Sequence, residues 1–202
     1  MWTPSWPKCL TTTRVSDDGP RDRLIEDVRQ ALTCAPASDA GARFEQAAWL
    51  ALLDRHAGAL LTRDLAPAHL TASAAVLSCD AERTCLVLHR KLQLWVQPGG
   101  HFEAGDETAA GAAAREVQEE TGLGGQVLPT PVLLSRHPAP CAPGVVDWHL
   151  DLQHVLVTEP RPPRPSDETP QVAWWPVGAL PENLAGGVAE LVERAVLTLR
   201  AG

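Results

Sequence analysis

The stretch GGHFEAGDETAAGAAAREVQEETGL, residues 99–123, decides the reading of this chain. Its Ala-rich second half predicts a helix over residues 107–121 that carries Glu116, Glu119 and Glu120. Successive helical residues turn by about 100°, so positions i, i+3 and i+4 share one face. Three carboxylates there repel one another unless a cation neutralises them. Carboxylate oxygens are hard ligands suited to Mg²⁺ or Mn²⁺, and Mg²⁺ commonly couples carboxylates to substrate phosphates. A solvated acidic face is the ordinary alternative for such a cluster. The Gly-rich turn before it, where Gly99 and Gly100 let the backbone bend sharply, and the Thr-Gly that ends it argue against that alternative.

The segment resembles the Nudix box, the signature of the Nudix hydrolase superfamily. That pattern runs Gly, five residues, Glu, seven residues, then Arg-Glu-apolar-x-Glu-Glu-x-Gly-apolar. Arg115, Glu116, Val117, Glu119, Glu120, Gly122 and Leu123 match its second half. The first half is longer by one residue. Counted forward from Gly100 the family acid falls on Asp106, and counted back from Arg115 it falls on Glu107. Spacing to Arg115 favours Glu107, leaving Asp106 to point to solvent or cap the helix.

The resemblance implies an α/β fold, a Nudix-type α/β/α sandwich with a mixed sheet. It also implies a Mg²⁺- or Mn²⁺-dependent hydrolase that splits a nucleoside diphosphate from another group. Carried onto this chain, Glu116 is a ligand or base, Glu119 and Glu120 are metal ligands, and the backbone carbonyl of Gly100 can join them. Arg115 would be held by Glu107 or Glu119 and orient the carboxylates. Many members add a carboxylate from a loop outside the box. Glu168 is the candidate here and Asp167 the runner-up.

Composition agrees with an ordinary globular enzyme. The chain has 202 residues, 45% of them apolar, and a net charge of −8. No apolar run reaches the roughly 18 residues needed to span a bilayer. No Lys/Arg run supports general nucleic-acid binding. An acidic protein can still take an anionic, nucleotide-type diphosphate that arrives with its own metal. The N-terminus lacks the cationic and apolar regions of a secretory signal. Cys9, Cys34, Cys79, Cys85 and Cys141 form no C-x-x-C pair, so reduced thiols in a cytoplasmic protein are expected. His149 and His154 read as polar-face or satisfied histidines, and His89 and His101 as possible phosphate contacts.

Along the chain, residues 1–20 read as a poorly ordered tail. Residues 21–68 read as a helical extension with two helices. The first spans 22–34. The second spans 39–61, capped by Asp39, with Phe44, Leu50, Leu53 and Ala57 as its apolar stripe. This extension could dock on the core or form a homodimer surface. The hydrolase domain would occupy 69–202. Strands are expected at 71–79, 84–90, 94–97, 126–135, 146–157 and 171–177, with Pro-rich loops at 136–144 and 159–170. In 146–157, Trp148, Leu150 and Leu152 alternate with His149, Asp151 and Gln153. A closing helix uses Val188, Leu191, Val192, Ala195, Val196 and Leu199.

Aromatic residues able to stack on a base are Phe102, Trp148, Trp174 and Trp175. Nucleoside triphosphates are slightly favoured as substrates. An ADP-ribose or nucleotide-sugar pyrophosphatase is the alternative, suggested by Pro138 fifteen residues after Leu123. Two readings from other classes remain. One is a ligand-sensing Nudix domain without turnover. The other is an isopentenyl diphosphate isomerase-like enzyme, for which Cys85 is poorly placed.

Overall fold

The computed structural model describes residues 19–63, 65, 67–142, 145–166 and 169–201, with backbone only at 140–142 and 145–146. Its elements run α1 Pro20–Cys34, α2 Ala40–His56, a 3-10 turn Ala57–Leu61, β1 Ala68–Ser78, β2 Arg83–Leu88, β3 Trp95–Val96 and β4 Gly99–His101. They continue with α3 Ala109–Thr121, β5 Gln126–Val127, β6 Leu133–Ala142, β7 Val145–Thr158, β8 Val172–Pro176 and α4 Val188–Ala201. Among the described residues no helix is long and apolar enough to cross a membrane.

The leading helices begin where local chemistry places them. Pro20 opens α1 at a position that needs no N–H donor. The Asp39 carboxylate caps α2 by accepting from the Ala42 N–H at 2.8 Å. Leu24, Val28, Ala31 and Leu32 of α1 are buried in the same apolar cluster as Trp49 and Leu53 of α2. The Gln46 side-chain amide adds a polar tie, donating to the carbonyls of Leu32 at 2.6 Å and Ala35 at 3.0 Å.

The expected stripe on α2 needs correction. Phe44 is 74% exposed, and Trp49 and Leu53 are the buried residues. Phe44 and Leu53 stand nine positions apart, about half a turn in azimuth, so the two cannot share a face. Trp49 and Leu53, at i and i+4, can.

The sheet is mixed and has eight strands, with β3-β2-β1-β7-β5 as its path. β4 pairs with β1, β6 with β7, and β8 with β2. β1 and β7 run parallel from Ala68↔Trp148 to Ser78↔Thr158, and the other pairings are antiparallel. Leu70, Ala72, Ala74 and Val76 of β1 face a core shared with α1, α2 and α3. Ala75 and Leu77 face a second core that contains the buried stripe of α4. Helices therefore cover both faces, giving an α/β/α sandwich.

Three further expectations change. Residues 136–142, read as a Pro-rich loop, continue β6, with Pro138 opposite Trp148. Among the described strands β6 pairs only with β7, and an edge strand tolerates proline because its outward side needs no ladder donor. Gly99 and Gly100, read as a sharp turn, form part of β4 instead, opposite Ser73 and Ala72. The thiols are not all reduced. Cys79 and Cys85 are free, whereas Cys34 is disulfide-bonded.

α1 also reaches the segment that opened the sequence reading. The Asp27 carboxylate accepts from the Ala109 N–H at 2.7 Å, adding an acceptor at the start of α3 beside the Thr108 N-cap. Burial pushes the Asp27 carboxyl up, and the Ala109 hydrogen bond pulls it back. Asp27→Ala is expected to cost about 1 kcal/mol, typical of a lost cap, or roughly 2–4 °C in Tm for a chain of this size. A thermal melt of the variant checks this. An unchanged Tm would show that the contact contributes nothing.

Candidate functional site

α3 lies close under the sheet because its inner face is small. Ala109, Ala112, Ala113 and Val117 are buried in the first core, and α3 packs against both β1 and β4. The helix ends on Gly122, whose φ of 68° is left-handed and suits glycine, and whose N–H donates to the Gln118 carbonyl. This seating leaves the acidic side of α3 against β4.

Glu116 is half-buried beside Gly100, where a Cβ would overlap its carboxylate. Gly100 is therefore needed for close approach, not for a special dihedral. Glu120, one turn on, accepts from the Gly99 N–H at 3.1 Å. Glu119 is more exposed and turns toward Arg115. Burial pushes the Glu116 carboxyl up, and Arg115 opposes that shift.

Arg115 organises the cluster. Its guanidinium donates to Glu116 Oε1 at 2.9 Å, to Glu119 Oε2 at 3.0 Å and to the His101 carbonyl at 2.9 Å. Its other edge makes a forked pair with Asp106, Nε to Oδ1 and Nη2 to Oδ2, each 3.0 Å. Hydrogen bonding to Asp106 is the main cause that raises the Arg115 pKa. Glu107, the acid favoured by spacing, does not take this place. It is exposed, and the Asp106 side chain is 5% exposed. Asp106 Oδ2 also accepts from the Glu103 N–H at 2.7 Å, closing the turn before α3. The additional residue therefore falls after the acid, at the helix entrance.

The aromatic candidates are mostly occupied. Phe102 is buried in the first core. Trp148 has the Arg136 guanidinium 5.1 Å from its ring centroid, and Arg136 pairs with Glu45 of α2 at 3.7 Å. Trp174 is half-buried, and its indole N–H donates to the Arg161 carbonyl at 2.8 Å. Trp175 packs edge-on against Trp95 in the second core. Glu168 and Asp167 lie outside the described residues. The chain on either side of them is tied to the end of α3. The Thr169 hydroxyl donates to the Glu120 carbonyl at 2.9 Å and the Arg164 N–H to the Thr121 carbonyl at 2.7 Å.

The opposite sheet face brings together polar groups of β1, β4 and β7 whose meeting sequence reasoning missed. Asp151 accepts from Thr71 at 3.1 Å, Ser73 at 2.6 Å and the Gln153 amide at 3.0 Å. Beside this network stand His69, His101 and His149. Burial, the main cause in each case, lowers all three imidazole pKa values, to about 4 for His101 and about 3 for His149. The alternation in β7 was legible, but its polar side is buried and paired with polar residues of β1. That pairing has no local signal. His154, also within β7, is buried and hydrogen-bonded at 3.0 Å to the Leu128 carbonyl.

A mixed sheet between helical layers, with an acidic helix seated under a Gly-Gly strand, defines an α/β sandwich protein with one carboxylate-rich polar site. The chain belongs to the NUDIX family: the NUDIX domain model matches residues 69–195. Phosphatase NudJ of Escherichia coli strain K12 is 46% identical over 61 residues, covering 29% of this chain. The chain spans 37% of the length of that curated relative. The E. coli dihydroneopterin triphosphate pyrophosphohydrolase has a similar fold, with TM-score 0.54, 19% identity and coverage of 64% of this chain and 95% of that one. So has the NUDIX domain of Shewanella oneidensis NrtR complexed with ADP ribose, with TM-score 0.51, 21% identity and coverage of 64% and 87%.

Proposed function

We propose that this protein is a divalent-metal-dependent hydrolase of nucleotide-type diphosphates, using Glu116, Glu119 and Glu120 as its metal-binding carboxylates and the Gly100 carbonyl beside them. The observation that carries this reading is the placement of Glu116 and Glu120 against β4, with Glu119 alongside on the same helix. The donor set is oxygen only, which fits Mg²⁺ or Mn²⁺. Glycine at position 100 supports the fit, because a side chain there would fill the space in front of Glu116.

A bound dication would screen the diphosphate charge and lower the pKa of an attached water. The protein groups divide the remaining work. Arg115 holds Glu116 and Glu119 in place while Asp106 holds Arg115. Glu116, half-buried and raised in pKa without a cation, is suited to ligation or to accepting a proton from the attacking water. Glu168 remains our candidate for a further carboxylate. Its support is the Thr169 hydrogen bond, which ties the next residue to the Glu120 carbonyl.

Nucleoside triphosphates are the first substrates to test, with ADP-ribose and nucleotide sugars next. The isomerase reading is disfavoured because Cys85 is buried in the apolar core, its thiol pushed up to about 12. The sensing reading is disfavoured because all three carboxylates and their organising Arg115 are in place. A nucleotide panel assayed with Mg²⁺ for phosphate release after a coupling phosphatase separates these readings. Hydrolysis of at least one diphosphate is expected with Mg²⁺ or Mn²⁺, and none in excess EDTA. Full activity in EDTA would sink the assignment.

A further inference from the structure

Three imidazoles converge on the sheet face opposite α3. The ligating nitrogens of His69 in β1, His101 in β4 and His149 in β7 all lie within 4.8 Å of one another. The Nε2 atoms of His69 and His101 are 3.0 Å apart. Strand register sets this arrangement. His69 and His149 are direct partners across the parallel pair, and His101 lies opposite Thr71, two positions along β1 from His69. His137 of β6 lies opposite His149 on its other side, with ring centroids 5.4 Å apart.

We infer that His69, His101 and His149 form a binding site for a zinc-type transition-metal dication, distinct from the carboxylate site on α3, with the Asp147 carboxylate as its counter-charge.

The geometry suits such an ion. With zinc–nitrogen bonds of 2.0–2.1 Å, tetrahedral ligands sit about 3.3 Å apart. The His69–His101 pair is close to that spacing, and the His149 nitrogen lies within 4.8 Å of both. Imidazole nitrogen suits Zn²⁺, Co²⁺ or Ni²⁺ better than Mg²⁺. A second observation points to the same place. Asp147, two positions before His149 and on its side of β7, is 5% exposed, and among the described residues its Oδ1 has no hydrogen-bond partner. It is near enough to act on the charge of His69. A buried carboxylate oxygen without a partner is costly unless a cation compensates it. Arg63 contributes opposing positive charge, but it is exposed and screened by solvent.

A metal here would also affect the neighbouring site. It would clamp β4 to β1 and β7, and β4 carries Gly100 against Glu116 and the His101 carbonyl that Arg115 donates to. This role is one of positioning.

The test uses the full chain, stripped with chelator and titrated with Co²⁺. One equivalent is expected to give the intense visible absorption of tetrahedral Co²⁺, displaced by Zn²⁺ and not by excess Mg²⁺. H149Q should abolish the band and E120Q should retain it. X-ray absorption of the Zn²⁺-loaded wild type, which avoids any folding defect in a variant, should show about three imidazole nitrogens. Absence of a tetrahedral band, its survival in H149Q, its loss in E120Q, or a zinc shell of oxygen or sulfur alone would each overturn the inference. None of these readouts depends on hydrolytic activity, so failure here is separable from failure of the proposed function.

Discussion

Glu120→Gln is expected to lower kcat about a thousandfold at saturating Mg²⁺, with the fold intact. Removing one carboxylate from a metal site weakens a stabilisation of several kcal/mol, and a loss of about 4 kcal/mol corresponds to that factor. Gln retains a carbonyl oxygen that can accept from the Gly99 N–H, so the seating of α3 under β4 should survive. Glu119→Gln should behave alike, although its carboxylate is shared with Arg115. Without metal, neither variant should be less stable than the wild type, since each removes repulsion within the acidic cluster. Steady-state kinetics and metal-free melts check both halves. Near-normal kcat in both variants would refute the assignment of these residues as ligands.

Asp106→Asn should be the damaging change at the irregular turn, and Glu107→Gln close to silent. Asp106 makes both bonds of the forked pair with Arg115 and is nearly buried. Breaking a buried, charge-assisted pair from one side leaves the other charge poorly compensated, at roughly 2–4 kcal/mol. Arg115 would then be drawn further toward Glu116 and Glu119 and displace the carboxylates it now orients. A fall in kcat of about tenfold or more is expected, together with a lower Tm. Glu107 is exposed, and surface substitutions of that kind usually stay within about 0.5 kcal/mol. Measuring both variants on one substrate decides the matter. If Glu107→Gln proves the damaging one, the Asp106 pair is dispensable for catalysis.

The turn shows where sequence spacing misleads. Counting residues back from Arg115 selected Glu107, because the family distance is a count along the chain. The guanidinium reaches a position in space, and an additional residue at the helix entrance moves the count without moving that position. The same limit applied to residues 136–142. Their prolines argued for a loop, yet an edge strand accommodates them because only one side of β6 is paired. On α2 the difference is one of phase: Phe44 is apolar, yet nine helical steps put it opposite Leu53.

By itself the sequence determined the elements whose causes are local. These are the acidic helix with its Gly-Gly approach, the Asp39 cap, the apolar stripe of α4 and the alternation in β7. Each depends on a periodicity or a capping side chain within a few residues. Only tertiary structure decided which acid holds Arg115, that Asp27 of α1 reaches the start of α3, and that histidines from three strands meet. Those contacts join residues between 9 and 82 positions apart. The register of a parallel pair such as β1 and β7 is set by burial across the whole sheet, and no local pattern encodes it.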